Sequence, residues 1–244
     1  IDPSDGTTII SFKAPASDPR GIVFGGGYLW CSDRLKDQIY GIDPASGLVV
    51  IILDAPGKFC WGLAWKDGRL LNVAYQDDAI FEIAVKDGGR FKTFDPRRAS
   101  IDFTSEAIVS GDGEVVSLDI NCAVPADRPN QKLLGPIAYT PQPARFAKDR
   151  WDQDIAVFHF ENLKPPRSIE ASMALSLETS SIRYFVYPEE VGSVVPADIK
   201  NRYLADEIKY DIENPHIREI VKNVVGAETN LYWKARKLFQ YLIA

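Results

Sequence analysis

The sequence repeats itself. Residues 1 to 41, "IDPSDGTTIISFKAPASDPRGIVFGGGYLWCSDRLKDQIYG", lie without gaps on residues 42 to 82, "IDPASGLVVIILDAPGKFCWGLAWKDGRLLNVAYQDDAIFE", at an offset of 41 residues. The pairs Ile1/Ile42, Asp2/Asp43, Pro3/Pro44, Gly6/Gly47, Ala14/Ala55, Pro15/Pro56, Gly21/Gly62, Gly27/Gly68, Leu29/Leu70, Asp37/Asp78 and Ile39/Ile80 match. A third copy starts at Ile83, with Gly88 in the place of Gly6 and Gly47, and fades after Phe94. Within each copy, turn chemistry such as "DPASG" and "KDGR" separates short stretches rich in Val, Ile, Leu and aromatics, so each copy is expected to be several short antiparallel strands. A period of roughly 40 to 45 residues with four strands per unit is the mark of a β-propeller blade. About two blades are present, and two leave open edges that call for upstream blades or for several chains pooling their blades.

The wording "GLAWKDGRLLNVAYQDDAIFEI" resembles the bacterial propeller repeats of lyase-like and glutaminyl-cyclase-like proteins. That resemblance covers about the first ninety-four residues. Apart from that resemblance, a partial propeller that acts as a binding protein would present Trp30, Trp61 and Trp65 as the candidate binding residues for a glycan or a peptide; the favoured reading is that these rings fill blade cores. A propeller enzyme would need a closed central channel, which two blades do not supply.

From Glu114 the pattern becomes alternating, with Val116, Leu118, Ile120, Cys122 and Val124 on one face and Ser117, Asp119, Asn121 and Ala123 on the other, as in a half-buried strand. Further alternating runs at Asp154 to Glu161, Ala171 to Glu178 and Ser181 to Tyr187, separated by turns such as "TPQP" and "NLKPPR", favour an antiparallel sandwich. His159 sits in "IAVFHFEN" as an expected packed, hydrogen-bonded strand residue. Asp149, Asp152 and Asp154 lack the Gly and terminal Glu of a calcium loop and are expected to form a solvated turn.

The segment "VPADRPNQKLLGPIAYTPQPARFAKDRWDQDIAVFHFENLKPP" resembles the small β-sandwich that precedes the catalytic core of bacterial and archaeal transglutaminase-like proteins. It keeps Pro125, Gln131, Asp149, Trp151 and Ala156 of that wording, with Asp152 and Gln153 where Gly-Asn is commoner. Toward the end, Asn214 and Pro215 form an N-cap and first helical residue, Ile217, Ile220, Val221 and Val224 recur at helical spacing, and Gly226 closes the helix. A second helix starts at Thr229 or Asn230, with Leu231, Ala235, Leu238 and Leu242 as an apolar stripe. "NPHIREIVKNVVGAETNLYWKARKLFQYLIA" resembles the opening helices of a transglutaminase-like core. The resemblance implies a Cys-His-Asp acyl-transfer site in a part of the protein beyond Ala244.

None of Cys31, Cys60 and Cys122 has the context of that nucleophile. The three are widely spaced with no CxxC pair, so buried free thiols and neither a disulfide framework nor a zinc site are expected. No metal and no cofactor is expected. With 34 acidic residues interspersed among 28 basic ones, no basic face offers itself to a nucleic acid or an anionic membrane. The longest apolar run, "LVVIILDA" at Leu48 to Ala55, has the length of a strand and not of a bilayer span. Ile1 in place of Met, without a signal-peptide pattern, leads to the expectation that a leading part of the protein has been removed, and the compartment is not readable.

The expectation is therefore a mainly β chain with C-terminal α-helices: partial propeller blades over 1-98, an antiparallel β-sandwich over 99-188, and the opening helices of an α+β papain-like or transglutaminase-like core over 189-244. Its expected function is that of the non-catalytic N-terminal portion of a transglutaminase-like cysteine acyltransferase or amide hydrolase, a recognition or assembly module and spacer. A binding protein without chemistry is the alternative. The stripe through Leu238 and Leu242 is expected to meet the catalytic core or to self-associate.

Overall fold

A computed structural model describes residues 1–2, 4–86, 89–205 and 211–244. Pro3 and Gly88, which entered the repeat comparison, lie outside the described residues. The chain is mainly β, with several antiparallel sheets followed by three C-terminal helices, and it forms two compact units. Unit 1 comprises Ile1–Arg90, Tyr184–Val194 and Glu213–Ala244; unit 2 comprises Phe91–Arg183 and Val195–Ile212.

In unit 1, β1 (Pro19–Gly25), β2 (Tyr28–Asp33), β3 (Gln38–Ile42) and β4 (Val49–Asp54) form sheet 1, an antiparallel meander in chain order. Sheet 2 is β5 (Cys60–Lys66), β6 (Arg69–Ala74) and β7 (Ala79–Ile83). Every strand of sheet 2 starts 41 residues after its counterpart. The irregularities agree as well: a bulge falls between Pro19 and Ile22 and again between Cys60 and Leu63. Asp37 and Asp78 both turn the chain with positive φ, 49° and 48°. The repeat is thus conformational as well as verbal. The sheets meet face to face. Trp30, Ile39 and Ile51 of sheet 1 pack with Cys60, Leu70, Leu63 and Trp65 of sheet 2.

The repeat breaks at its fourth strand. Residues 90–95, counterparts of β4, do not complete sheet 2. From Phe91 the chain enters β8 (Phe91–Val109), which pairs with β14 (Arg167–Tyr184) in unit 2. There, β10 (Gln131–Leu133) and β11 (Ala138–Thr140) also pair with β14, while β9 (Val115–Ala123), β12 (Arg145–Lys148) and β13 (Asp154–Leu163) make a second antiparallel sheet. One apolar core joins them, with Ile120 and Cys122 of β9, Ala156 and Phe158 of β13, and Ile169, Ala171 and Met173 of β14. The alternation expected in β9 is present from Leu118 onward, but Val116 points to solvent and Val115 takes the inner place.

The two runs expected at Ala171 to Glu178 and Ser181 to Tyr187 are one strand through Tyr184. Gln131 pairs with Thr179, and the Ser180 N–H donates to Asn130 O, so the ladder holds the polar stretch between them in extended form. The acidic turn is held by its own backbone: Asp149 accepts from the N–H groups of Trp151 and Gln153 at 2.8 and 2.9 Å. Asp152 and Asp154 pair with Lys148.

After the short helix α1 (Ala197–Tyr203) in unit 2, the helices of unit 1 obey their caps. The Asn214 side chain accepts from the His216 N–H ahead of α2 (Pro215–Val225), Gly226 ends it at φ 60°, and Asn230 accepts from Tyr232 and Trp233 to start α3 (Leu231–Ile243). Leu238 is half-buried, while Leu242, on the same stripe, is 79% exposed. Among the described residues no helix is long and apolar enough to cross a membrane.

Candidate functional site

The three candidate tryptophans fall in two places. Trp30 and Trp65 form one stack, with ring centroids 6.3 Å apart and planes 10° from parallel, and Tyr28 meets Trp30 edge-on at 5.8 Å. Trp30 is 0% exposed and its Nε1–H donates to Gly25 O at 3.0 Å, so it is not an open stacking ring. Its position opposite Gly41 explains the burial: a Cβ on Gly41 would lie 2.9 Å from the Trp30 ring. Trp65 is half-buried and lies flat on the β1–β2 turn because Gly25 leaves room for it. A Cβ there would fall 2.0 Å from Trp65 Cδ2.

This stack forms the inner wall of a pocket of about 540 Å³, bounded by Gly26, Gly68, Ile83 and Val85, within the size range of small-molecule sites. Charged groups stand at its edge. Lys86 Nζ donates to Glu189 Oε1 at 2.8 Å and to Glu190 Oε1 at 2.7 Å, and Tyr28 Oη donates to Glu189 Oε2 at 2.6 Å. Arg69 pairs with Glu82, and the Tyr187 hydroxyl donates to Val85 O. Burial raises the Tyr28 phenol, reinforced by Glu189. Burial alone would raise Glu189 too, but Lys86 and Tyr28 outweigh it and its carboxyl sits below the ordinary range. The pocket therefore combines a wall of buried and half-buried aromatic rings with a rim of paired charges.

Trp61 lies apart, at the opposite end of the strands. It is 38% exposed, with the Arg20 guanidinium 4.9 Å from its centroid, Arg34 at 5.9 Å and Tyr75 at 5.4 Å. Asp18 holds both arginines, at 2.9 and 2.7 Å. Beneath them Asp33 is fully buried. Burial pushes its carboxyl up, but the N–H groups of Ser17, Leu35, Asp18 and Lys36 outweigh that and leave it low. The repeat carried a hint of this anchor, since the counterpart of Asp33 is Ala74. The Glu189 cluster left no such trace.

No thiol is available as a nucleophile. All three cysteines are free and buried; burial raises Cys31 and Cys122, and pushes Cys60 up to about 11 despite the hydrogen bond from Asn72. Unit 2 does contain a histidine between carboxylates. His159 is a hydrogen-bonded strand residue as expected but is exposed rather than packed: it stands on the face of β13 that it shares with Ile155 and Val157, Nδ1 2.6 Å from Asp119 and Nε2 3.0 Å from Glu161, with Arg145 also on Asp119 at 3.2 Å. The register explains it, because His159 sits opposite Asp119, on the face away from Cys122. Among the described residues no group of three or more His, Cys, Asp or Glu side chains could hold a metal ion.

The hydrogen bond to Asp119, then that to Glu161, raises the His159 pKa, and His159 followed by Arg145 lowers that of Asp119. The interaction is thus fully present below the unfolded histidine value of 6.5 and above the unfolded aspartate value of 3.8. It is lost as pH rises through the raised histidine value or falls through the lowered aspartate value. An NMR titration of the His159 ring should give a midpoint above 6.5, and Asp119→Asn should move it down. A midpoint unchanged by that substitution would remove Asp119 as the main cause.

Comparison of the chain with family models, with curated proteins and with solved structures finds no match.

Proposed function

We propose that the chain is a non-catalytic recognition and assembly module, the front portion of a transglutaminase-like cysteine acyltransferase or amide hydrolase. The observation that carries this reading is the state of its thiols: each is buried with a raised pKa, and the histidine with carboxylate partners lies on the sheet face opposite Cys122. A nucleophile paired with a base is what acyl transfer needs. The capped helices α2 and α3 support the same reading, because they follow the opening wording of such a core and leave Leu242 and Phe239 exposed, as a seat for the rest of it. In this reading the repeat sheets are propeller blades, and the sheets of unit 2 are the spacer.

The test is the intact mass of the protein from its native source, with peptide mapping of both ends. Peptides that continue past Ala244 into a segment bearing Cys, His and Asp are expected. A mass matching the 244 residues alone would overturn the enzyme association. It would leave the second reading, a binding protein without chemistry, which the aromatic pocket at Trp65 and the Trp61 surface support.

A further inference from the structure

Each repeat sheet has two unlike faces. Sheet 1 turns Val23, Trp30 and Ile39 toward sheet 2, which answers with Leu63, Trp65 and Leu70. Successive residues of a strand point to opposite faces. The far face of sheet 2 therefore carries Ala64, Leu71 and Ile80, the repeat counterparts of Val23, Trp30 and Ile39. The far face of sheet 1 carries Ile22, Phe24 and Leu29, the counterparts of Leu63, Trp65 and Leu70. Three of these counterparts are open, Ile80 at 71% exposed, Ile22 at 66% and Phe24 at 62%, while Leu29 is half-buried beside Cys31, Tyr40 and Phe12 in the middle of the far face of sheet 1.

The backbone is unfinished in the same sense. Among the described residues β7 has a ladder partner on one side only, β6, whereas its counterpart β3 is paired on both. Residues 8–13 are the counterparts of β4 one repeat earlier, yet they belong to no strand, and Ile9 and Ile10 are exposed. Phe12 in this segment packs on the far face of sheet 1, as its counterpart Leu53 packs against sheet 2.

Gly21 and Gly62 complete the pattern. A Cβ on Gly21 would lie 2.6 Å from Trp61 O and 2.7 Å from Leu63 N, so glycine is required there for the sheets to touch. A Cβ on Gly62 would meet nothing closer than Val73 Cγ2 at 3.6 Å. Within one chain, the second glycine has no contact that demands it.

We propose that the chain associates head to tail with a second copy of itself. The open face of sheet 2 in one copy packs on the far face of sheet 1 in the other, whose residues 8–13 supply the missing fourth strand to β7. Shifting the β3–β4 ladder by one repeat sets the register: Ala79 opposite Lys13, Ile80 opposite Phe12, Phe81 opposite Ser11, Glu82 opposite Ile10 and Ile83 opposite Thr8. Gly62 then touches the backbone of Arg20 and Ile22 in the second copy, as Gly21 touches that of Trp61 and Leu63 within one chain. The contact is heterologous and pairs a free sheet edge. It deepens the assembly half of the function proposed above and rests on that reading only there.

Light scattering on a sizing column, over a concentration series, tests it. The full chain is expected at twice its own mass or more. Ile80→Asp, Phe24→Asp and Gly62→Ala, all at sites open in the single chain, should each return it to its own mass with circular dichroism unchanged. An equimolar mixture of Ile80→Asp and Phe24→Asp should regain a two-chain species, because each variant keeps the face the other lacks. Lys13→Cys in one copy should form a disulfide with Ala79→Cys in another. A wild-type chain that stays at its own mass throughout overturns the proposal. So does association that survives all three substitutions and is lost with Leu242→Ser, which would put the contact on α3. A chain shown to be monomeric that still retains a glycan or peptide ligand would leave recognition standing and remove only the assembly.

Discussion

Trp30→Ala is expected to destabilise unit 1 by about 3–5 kcal/mol, the range for truncating a fully buried aromatic in a core that cannot collapse around the loss. Three features place the change there. The ring is 0% exposed and lies between Tyr28, Trp65 and the backbone at Gly41. Its Nε1–H donates to Gly25 O, so truncation also takes away that carbonyl's indole partner, at a cost of about 1 kcal/mol or more. The neighbours also cannot close in, because Trp65 is fixed flat against the β1–β2 turn by Gly25. A chain of two units need not unfold in one step, so the measurement is amide exchange read separately for β2 and β13. Protection should fall in β2 and its neighbours and stay unchanged in β13. A loss below about 1 kcal/mol, the scale of an ordinary surface change, would mean that the contact between sheets 1 and 2 is not the core of unit 1.

Gly21→Ala should cost about 3 kcal/mol, the upper part of the range for overpacking. The added methyl meets the Trp61 carbonyl and the Leu63 nitrogen, and both are backbone atoms of β5 that can move only if the whole strand moves. The hydrogen bond from Ser32 Oγ to Trp61 O, 2.6 Å, ties the same spot and would be strained with it. Gly62→Ala makes the same substitution at the matching point of the next repeat and should leave the unfolding midpoint of the single chain within about 0.5 kcal/mol, as for open surface sites. Equal losses from the two variants would show that a local backbone preference governs both glycines, and not the approach of a second sheet.

The architecture of the repeat was legible because its signals are local. Turn residues at a fixed offset set where each strand begins, and Asn214, Gly226 and Asn230 cap α2 and α3 as their positions in the sequence imply. Features that depend on distant partners were not legible. The fourth strand of sheet 2 is lost because residues from Phe91 onward find β14, some eighty positions away in the chain, as the pairing of Arg98 with Glu178 illustrates. β14 stays one strand through a polar stretch because β10 pairs with it there. The rim of the pocket joins Tyr28 to Glu189 across 161 residues, and no motif links them. His159 was given its face correctly but not its exposure or its partners, because alternation assigns a face and does not reveal the carboxylate opposite on the next strand.

Unit 1 is assembled from three separated stretches of chain, with almost all of unit 2 made between the first and second of them. During synthesis the two repeat sheets emerge first, yet the Glu189 that receives Tyr28 and the Arg236 that binds Val49 O emerge last. Domains tend to fold as they leave the ribosome, and contacts between distant residues form slowly. A nascent chain that has emerged just past Arg183 would thus carry the paired sheets of unit 2 together with repeat sheets whose β4 edge and aromatic wall still await Arg236 and Glu189. In that interval, rather than in the finished molecule, this protein is expected to depend most on chaperones.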